Sequence, residues 1–333
     1  MSGQSVSVVV CVYTADRWKD LVAAVESVRG QTEAALETIV VVDHNEALLA
    51  RVRHELPDVV AVENGEERGL SGARNSGIAV ARGDVVAFLD DDAVAASDWI
   101  ARLVDDYQDR DVIAVGGAIE PCWLEGAPSW FPEEFNWVVG CSYRGLPDET
   151  APVRNVIGAN MSIRRHVFDE IGGFRSGLGR VGTRPVGCEE TELCVRARAS
   201  LVPSTVVYEP RARVRHAVPA ARASLRYFVS RCYAEGLSKA LVARVAGARD
   251  GLASERAYVL STLPAGVVRG VADTLLGRRP GGLARAAVIV AGLTATTLGY
   301  VIGAAHAVEA SDPGCPLRSD RDGDARERAA VNA

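Results

Sequence analysis

Residues 85–92, VVAFLDDD, decide the fold class, because an apolar run of strand length ends there in three consecutive carboxylates. Ligands bind at the carboxyl ends of strands in open α/β sheets. Adjacent carboxylates repel one another and are costly to desolvate, and a hard divalent cation would relieve that repulsion. In an extended segment Asp90 and Asp92 point to one side and Asp91 to the other. The competing interpretation is a solvated acidic turn before a helix.

Outward from this segment, strand-like runs alternate with helix-like patterns. The predicted strands are residues 6–12, 38–42, 59–62, 84–89 and 112–115, and the predicted helices lie within 21–28, 48–56, 72–81 and 100–107. Such alternation is typical of an α/β fold with a mainly parallel sheet and helices on both faces. Right-handed crossovers would then put the carboxyl ends of the strands on one side of the sheet.

Composition narrows the class of protein. The 333 residues suffice for one large domain with an appendage, and 48% hydrophobic with 24% charged residues indicates a globular chain. A net charge of −6 provides no basic footprint, so nucleic acid is not an expected partner. Seven cysteines without a CxxC pair favour reduced thiols in the cytoplasm. The N-terminus MSGQSVSVVV has no basic region and indicates a first strand, not a signal peptide.

The amino-acid composition of the chain changes twice after the region of alternating strands and helices. Tryptophan and phenylalanine cluster among Pro, Gly and Glu in residues 121–152, where they would line a cleft or pack under a long loop. After His216 the sequence is helical and rich in Arg and Ala. The predicted domains are residues 1–216, with halves 1–117 and 118–216, then a helical region 217–310 and a disordered tail 311–333.

The helical region is expected to associate with a membrane. Residues 286–305 form an uncharged stretch of bilayer length. Arg278, Arg279 and Arg285 precede it, as expected for a cytosolic flank. Gly299 and Gly303 form a GxxxG pair, which favours helix packing. Because the stretch is rich in Ala, Gly and Thr, a buried helix or a re-entrant hairpin remains an alternative.

Six ordered motifs carry a family resemblance. They are SVVVCVYTADR, VVVDHNE, GLSGARNSGIAVARGDVVAFLDDDA, NVIGANMSIRR, GCEETELCVRAR and the isolated His216. Over residues 5–216 this combination resembles the family-2 glycosyltransferases, which have the GT-A fold. The segment RYFVSRCYAEGLSKA is similar to the branch that contains the glucosyl-dolichyl-phosphate glucuronosyltransferase-like enzymes. The resemblance implies a nucleotide-sugar-binding half, residues 1–117, and an acceptor half, residues 118–216.

The resemblance also implies which residues contact the donor. Asp43 would accept a hydrogen bond from a uracil N–H, although His44 and Asn45 stand where the family often has Gly and Ser, which leaves the base open. Taken alone, Thr14 could equally be a helix cap, and the glycine-rich segment 69–77 could be a helix start. The implied nucleotide-sugar contacts are Tyr13, Thr14, Asp43, Arg74, Asn75, Asp90 and Asp91.

A metal site and a general base complete the implied machinery. Asp92 and His216 would hold Mn²⁺ (manganese) or Mg²⁺ (magnesium), although a lone histidine is more often structural. Glu190 matches the second acid of the family's Glu-Asp motif, the catalytic base, with a glutamate in place of the commoner aspartate. The alternative for this acidic segment is a first turn that complements a helix dipole. Acceptor-contacting or supporting roles fall to Glu189, Asn160 and Trp130.

The predicted function is inverting, metal-dependent transfer of a sugar from a nucleotide diphosphate sugar, UDP by resemblance, to a hydroxyl acceptor. A polyprenyl-phosphate-linked glycan at the cytoplasmic face of a membrane would explain the apolar C-terminal stretch. One alternative is a metal-dependent nucleotidyltransferase, although the N-terminus lacks a basic phosphate-binding loop. The other is a noncatalytic nucleotide-sugar-binding module.

Overall fold

A computed structural model describes residues 3–176, 187–246 and 256–309. The strands are β1 (Val6–Val12), β2 (Glu37–Val42), β3 (Val60–Glu63), β4 (Val85–Asp90), β5 (Ala93–Ala95), β6 (Val112–Trp123), β7 (Ala151–Pro152), β8 (Asn160–Arg164) and β9 (Thr205–Val218). The helices are α1 (Trp18–Arg29), α2 (Glu46–Glu55), α3 (Leu70–Val80), α4 (Trp99–Asp105), α5 (Arg165–Ile171), α6 (Glu189–Ser200), α7 (Leu225–Ala246), α8 (Leu263–Leu275) and α9 (Gly282–Glu309). The predicted disordered tail, 311–333, lies outside the described residues.

One sheet organises the N-terminal two thirds of the chain. Its order is β3-β2-β1-β4-β8-β6-β9-β5, with β7 paired to β9. Strands β1 to β4 are mutually parallel, β8 runs antiparallel between β4 and β6, and β9 runs parallel to β6. The carboxyl ends of β1, β2 and β4 therefore meet at one edge, as the alternating pattern predicts.

Strand β6 is longer than the sequence indicated. Glycines at 116 and 117 interrupt the apolar run, yet the strand continues through them to Trp123. Both glycines are required by close packing, because an added Cβ would lie 2.5 Å from Val156 Cγ1 and 2.0 Å from the Ala212 carbonyl oxygen, respectively. This extension carries the strand to the same edge as the carboxylates.

Helices cover both faces of the sheet. Alternate β1 side chains point in opposite directions, so that Val8 and Val10 pack in the core beneath α1, α2 and α4, while Val9 packs beneath α3, α5 and α6. Helix α3 approaches closely because it presents Gly77, whose added Cβ would lie 2.6 Å from Val9 Cγ1. The two cores hold the strand ends in fixed positions.

The C-terminal helices pack on the domain and on one another. Helix α9 lies beside α7, and their backbones touch at Gly299, where an added Cβ would lie 2.1 Å from the Tyr233 carbonyl oxygen. Gly303 packs against Ala240 in the same interface, so the GxxxG pair is an intramolecular packing surface. Helices α8 and α9 form an antiparallel hairpin, with Gly270 against Ala286.

Candidate active site

The acidic triplet and His216 are brought together by strand pairing. Strand β4 ends at Asp90, and the next strand, β5, pairs antiparallel with β9 so that Ala93 faces His216. This register places His216 Nε2 3.0 Å from Asp92 Oδ1. Ligand atoms of Asp90, Asp92 and His216 all lie within 4.8 Å of one another. A side-chain triad with metal-ligand chemistry therefore lies at the carboxyl edge of the sheet.

Two arginines balance the charge of the triplet. Arg17 Nη1 donates hydrogen bonds to Asp91 Oδ1 at 2.7 Å and to Asp92 Oδ2 at 2.8 Å. Arg222 Nη2 lies 3.6 Å from Asp92 Oδ2. Asp91 and Asp92 are only 5% and 6% exposed, so the solvated acidic turn considered from the sequence is wrong. Neither arginine was singled out from sequence, although Arg17 closely follows β1 and Arg222 closely follows His216.

Burial and charge act differently on the two inner carboxyls. Burial raises the pKa of Asp91 to about 8, against the opposing charge of Arg17. Burial acts in the same direction on Asp92, but the hydrogen bond and charge of His216, with Arg17, hold the pKa of that carboxyl well below its usual range. Asp92 therefore stays ionised, as a metal ligand must.

The residues at this edge fit a divalent cation. Asp90 and Asp92 offer carboxylate oxygens and His216 offers an imidazole nitrogen, a donor set suited to Mn²⁺ and compatible with Mg²⁺. Asp91 Oδ2 is buried without a hydrogen-bond partner among the described residues. Unsatisfied buried oxygens are costly in a protein interior, so the site is suited to additional positive charge.

The residues predicted to contact the donor at the ends of β1 and β2 lie near the triplet, but not all of their side chains are free to contact a ligand. Tyr13 is 46% exposed, and the guanidinium carbon of Arg17 lies 5.2 Å from its ring centroid. Thr14 accepts a hydrogen bond from Asp16 N, which is the capping role that the sequence left open. The exposed Tyr13 ring is the aromatic surface available to a ligand here.

Asp43 organises the loop that precedes α3. Its Oδ1 accepts from Asn64 Nδ2 at 2.6 Å and contacts His44 Nδ1 at 2.9 Å, while its Oδ2 accepts from Gly69 N at 3.0 Å. His44 has φ +51°, a left-handed conformation, and Asn45 caps α2 by accepting from Leu48 N. His44 and Asn45 thus form the turn between β2 and α2 through these contacts. Asp43 contact with a base stays a prediction.

Arg74 connects the strand edge to α6. This buried guanidinium donates from Nη1 to Glu189 Oε1 at 2.8 Å and from Nη2 to the Gly158 carbonyl at 3.1 Å. Its Nη2 lies 3.8 Å from Asp90 Oδ1. Asn75, next along the chain, exchanges hydrogen bonds with the backbone of Phe174 and supports that loop instead of lining a cavity.

A cavity of about 1040 Å³ extends from Asp90 and Glu190 to the C-terminal helices. Helix α7 contributes charged side chains to its wall and α9 contributes apolar and hydroxyl side chains. Its lining includes Arg74, Asp90, Trp137, Tyr143, Arg154, Glu189, Glu190, Arg231, Glu235, Lys239, Leu293, Thr296, Thr297 and Tyr300. Its lining is polar near Glu190 and more apolar near α9, so the cavity is suited to a ligand with a polar group at one end and an apolar group at the other.

Glu189 and Glu190 are neighbours in the chain but differ in their ion-pair partners. Helix α6 begins at Glu189 after Cys188, whose φ is +73°. Glu189 is buried in the ion pair with Arg74, whereas no described residue forms an ion pair with the half-buried Glu190. Burial, and then the charge of Glu189, raises the pKa of Glu190 to about 8. A carboxyl with that pKa facing a cavity has the properties of a general acid or base.

Two residues predicted to contact the acceptor or to support the site, Asn160 and Trp130, do not line the cavity. Asn160 is fully buried, where its Nδ2 donates to the carbonyls of Ala118 and Ala212 and its Oδ1 accepts from Trp99 Nε1. Trp130 packs against Phe228 of α7 and is not among the cavity-lining residues. Asn160 therefore supports the sheet, and the cluster around Trp130 is a packing cluster. Trp137 belongs to the aromatic region 121–152 described from the sequence, and it does line the cavity.

Comparison with known proteins identifies the family. The chain is 42% identical over 238 residues to a glucosyl-dolichyl phosphate glucuronosyltransferase of Haloferax volcanii, a match covering 70% of this chain and 76% of that protein. The sequence profile Glycosyl transferase family 2 matches residues 7–172. The chain belongs to glycosyltransferase family 2. This family-2 glycosyltransferase is also 25% identical to the succinoglycan biosynthesis protein ExoM of Rhizobium meliloti, covering 75% of this chain and 83% of that one.

A solved structure supports the fold of this glycosyltransferase. The mannosyltransferase PcManGT from Pyrobaculum calidifontis, in complex with GDP-Man and Mn²⁺, superposes with a TM-score of 0.57 at 18% identity, covering 89% of this chain and 88% of that one. The GT-A fold expected from the sequence is thereby confirmed.

Proposed function

We propose that this glycosyltransferase moves a sugar from a UDP-sugar to a hydroxyl group of a lipid-linked acceptor, with inversion at the anomeric carbon. The observation that carries the proposal is the position of Glu190, which lines the same cavity as Asp90 while its neighbour Glu189 is held by Arg74. The other carboxylates of the cavity are engaged, because Asp90 lies in the candidate metal triad and Glu189 and Glu235 each form an ion pair. Glu190 is left to act as a base, which suits a single displacement, since a double displacement needs a nucleophile as well.

In this reaction Glu190 accepts the proton of the acceptor hydroxyl while the hydroxyl oxygen forms a bond to the anomeric carbon. The bond between that carbon and the diphosphate oxygen breaks, and the diphosphate leaves with the electron pair. General-base assistance of this kind contributes ~10²–10⁴ in rate. Arg74 fixes Glu189 and the start of α6, which positions Glu190 toward the cavity.

Asp90, Asp92 and His216 would hold the divalent cation, which supplies positive charge to the leaving diphosphate. Arg17 keeps Asp91 and Asp92 close together before any ligand arrives. Donor recognition is assigned to the adjacent ends of β1 and β2, including Tyr13 and Asp43. Both lie on the sheet edge and not in the lining of the large cavity, so donor and acceptor approach the triplet from different sides.

The lipid-linked acceptor is supported by the cavity's second half. There the wall is built by α7 and α9, including Leu293 and Tyr300, which are suited to an apolar chain. Arg231 and Lys239 of α7 exceed the charge of Glu235, which lies 3.4 Å from Lys239, and leave the same wall with net positive charge, appropriate to a phosphate. The name of the Haloferax volcanii relative describes a dolichyl phosphate substrate, which is of this chemical class. We place the enzyme at the cytoplasmic face of a membrane.

A panel of nucleotide sugars tests the proposal, with nucleotide release measured in the presence of glucosyl-polyprenyl phosphate and Mn²⁺. We expect release to require a UDP-sugar, the lipid-linked acceptor and the metal together. Chelation should abolish release, and Glu190→Gln should abolish it while leaving UDP binding intact. Release with no acceptor requirement across the panel, or equal release by Glu190→Gln, would refute the assignment. Transfer of a nucleotidyl group instead of a sugar would support the nucleotidyltransferase alternative.

A further inference from the structure

The α8–α9 hairpin presents a continuous uncharged face to solvent. From 283 to 305 the exposed side chains of α9 recur every three or four residues, which places them on one side of the helix. They are Leu283, Ala284, Ala287, Val290, Ala291, Thr294, Thr297, Leu298, Val301 and Ala305. Helix α8 exposes Pro264, Ala265, Val268 and Leu275. An exposed apolar face of this extent marks an interaction surface.

The hairpin lacks charge on this face because its charged side chains pair with other groups inward. Arg269 of α8 forms an ion pair with Glu134, which is buried in the preceding domain. Asp273 of α8 pairs with Arg285 of α9 at 2.9 Å. Among the described side chains of the hairpin, Arg269 is 41% exposed beside Glu134, and Arg278 and Arg279 are exposed at the turn between the helices.

Packing against α7 determines how α9 can meet a bilayer. Gly292 and Gly303 of α9 touch Phe228 and Ala240 of α7, so the two helices run side by side in the same direction. Within that stretch α7 carries Arg231, Glu235 and Lys239. An α9 that crossed the bilayer would bring these three charges to hydrocarbon depth, at a cost of ~2.5–3.5 kcal/mol for each basic residue at the centre.

The catalytic domain imposes the same restriction. Phe135 of the domain lies against the middle of α9, since an added Cβ on Gly292 would lie 2.5 Å from Phe135 Cε1. The stretch Gly282–Ala305 is long and apolar enough to cross a membrane. Crossing, however, would immerse the domain surface around Phe135.

We propose that the outer face of α8 and α9 docks onto a lipid bilayer with α9 lying in the plane of the interface, and that α9 does not span. The uncharged face is about 33 Å long at 1.5 Å per residue, and it buries its apolar side chains at the level where headgroups meet acyl chains. Arg278 and Arg279 at the turn contact anionic headgroups. Thr297 lies on this face and also lines the cavity, so the cavity reaches the docking surface.

The path by which the lipid-linked acceptor enters the cavity rests on the proposed function, whereas the docking of the hairpin onto the bilayer does not. A lipid whose chains remain in the bilayer would enter the cavity beside Thr297, with its phosphate and sugar directed toward Glu190. The docking itself is a property of the hairpin and is measurable without turnover.

Flotation with vesicles of phosphatidylcholine and phosphatidylglycerol tests the proposal on the full chain. We expect the wild type to float, and Val290→Glu and Leu298→Glu to lower the bound fraction about tenfold or more. Val202→Glu is the matched control, because Val202 is 83% exposed and lies outside the hairpin, and it should float like the wild type. The circular dichroism spectra of both hairpin variants should equal that of the wild type, which excludes misfolding.

Topology is tested on the same vesicles with N-terminal and C-terminal epitopes. In-plane docking predicts that alkaline carbonate releases the protein and that added protease removes both epitopes. A carbonate-resistant protein with a protected C-terminal epitope would show that α9 spans. Flotation of the glutamate variants at wild-type level, or a wild type that stays unbound, would overturn the docking surface. If the wild type is a dimer and Val290→Glu is a monomer, the face binds a second copy of this chain and not a bilayer. Binding to vesicles without transfer to any acceptor would refute only the proposed function.

Discussion

Glu190→Gln should stabilise the fold while it abolishes turnover, a pairing that a merely structural glutamate would not show. Burial and the charge of Glu189 raise the pKa of Glu190 from 4.5 to about 8, so at neutral pH folding must take up a proton that the unfolded chain has released. At about 1.4 kcal/mol per tenfold change, the ceiling on this cost is about 3 kcal/mol at pH 7. Glu190 is half-buried and solvent screens it, so we expect a gain of about 1–2 kcal/mol.

The sign of the pH dependence is fixed by the raised pKa. The advantage of glutamine should vanish below the unfolded pKa of 4.5, grow as pH rises, and level off above about 8. Urea unfolding followed by circular dichroism at acid, neutral and alkaline pH measures this difference. Turnover, measured as UDP release, should fall ~10²-fold or more.

Two matched variants make this prediction specific. Glu189→Gln should destabilise the fold by about 3–5 kcal/mol, because it leaves the buried Arg74 guanidinium without its partner. Glu170→Gln changes an exposed side chain of α5 and should alter neither property. Glu192 is unsuitable as a control, since it is buried and paired with Arg196. A destabilised Glu190→Gln, or one with near-normal turnover, would refute the assignment of the base.

Three further outcomes follow from the same contacts. Asp92→Asn should abolish Mn²⁺ binding in calorimetry and metal-dependent turnover while circular dichroism stays native, and full activity of this variant in chelated buffer would contradict the metal assignment. Glu235→Gln should shift the rising limb of the pH–rate profile to lower pH, because the charge of Glu235 helps to raise the pKa of Glu190; an unchanged profile would oppose that coupling. Gly299→Ala should cost about 1–3 kcal/mol in unfolding free energy, because its Cβ would lie 2.1 Å from the Tyr233 carbonyl oxygen, and wild-type stability would refute the close packing of α7 and α9.

The strands β1, β2 and β4 could be predicted to within about one residue because parallel strands buried on both faces have continuous apolar sequences. Strand β8 and the extension of β6 could not be predicted. In β6, Gly116 and Gly117 break the apolar pattern, and the two glycines are explained only by the close approach of Val156 and Ala212. Patterning within one segment carries no information about which distant segment packs against it.

The site was predictable to the extent that its residues lie at strand ends. Asp90 and Asp92 follow directly from the end of β4, but their proximity to His216 depends on the pairing of β5 with β9, a long-range register. Arg222 was missed for the same reason. Asn160 was assigned to the site although its amide points into the core, because neither its residue type nor its motif indicates that direction.

The anomeric configuration of the product tests the central claim most directly, namely a single displacement in which Glu190 is the base. A UDP-sugar with an α linkage would be incubated with the enzyme, Mn²⁺ and glucosyl-polyprenyl phosphate, and the product linkage read by proton NMR. A β-linked product, absent from the Glu190→Gln reaction, is the result that we predict. An α-linked product, or the same product from Glu190→Gln, would contradict the single displacement and the role of this carboxylate.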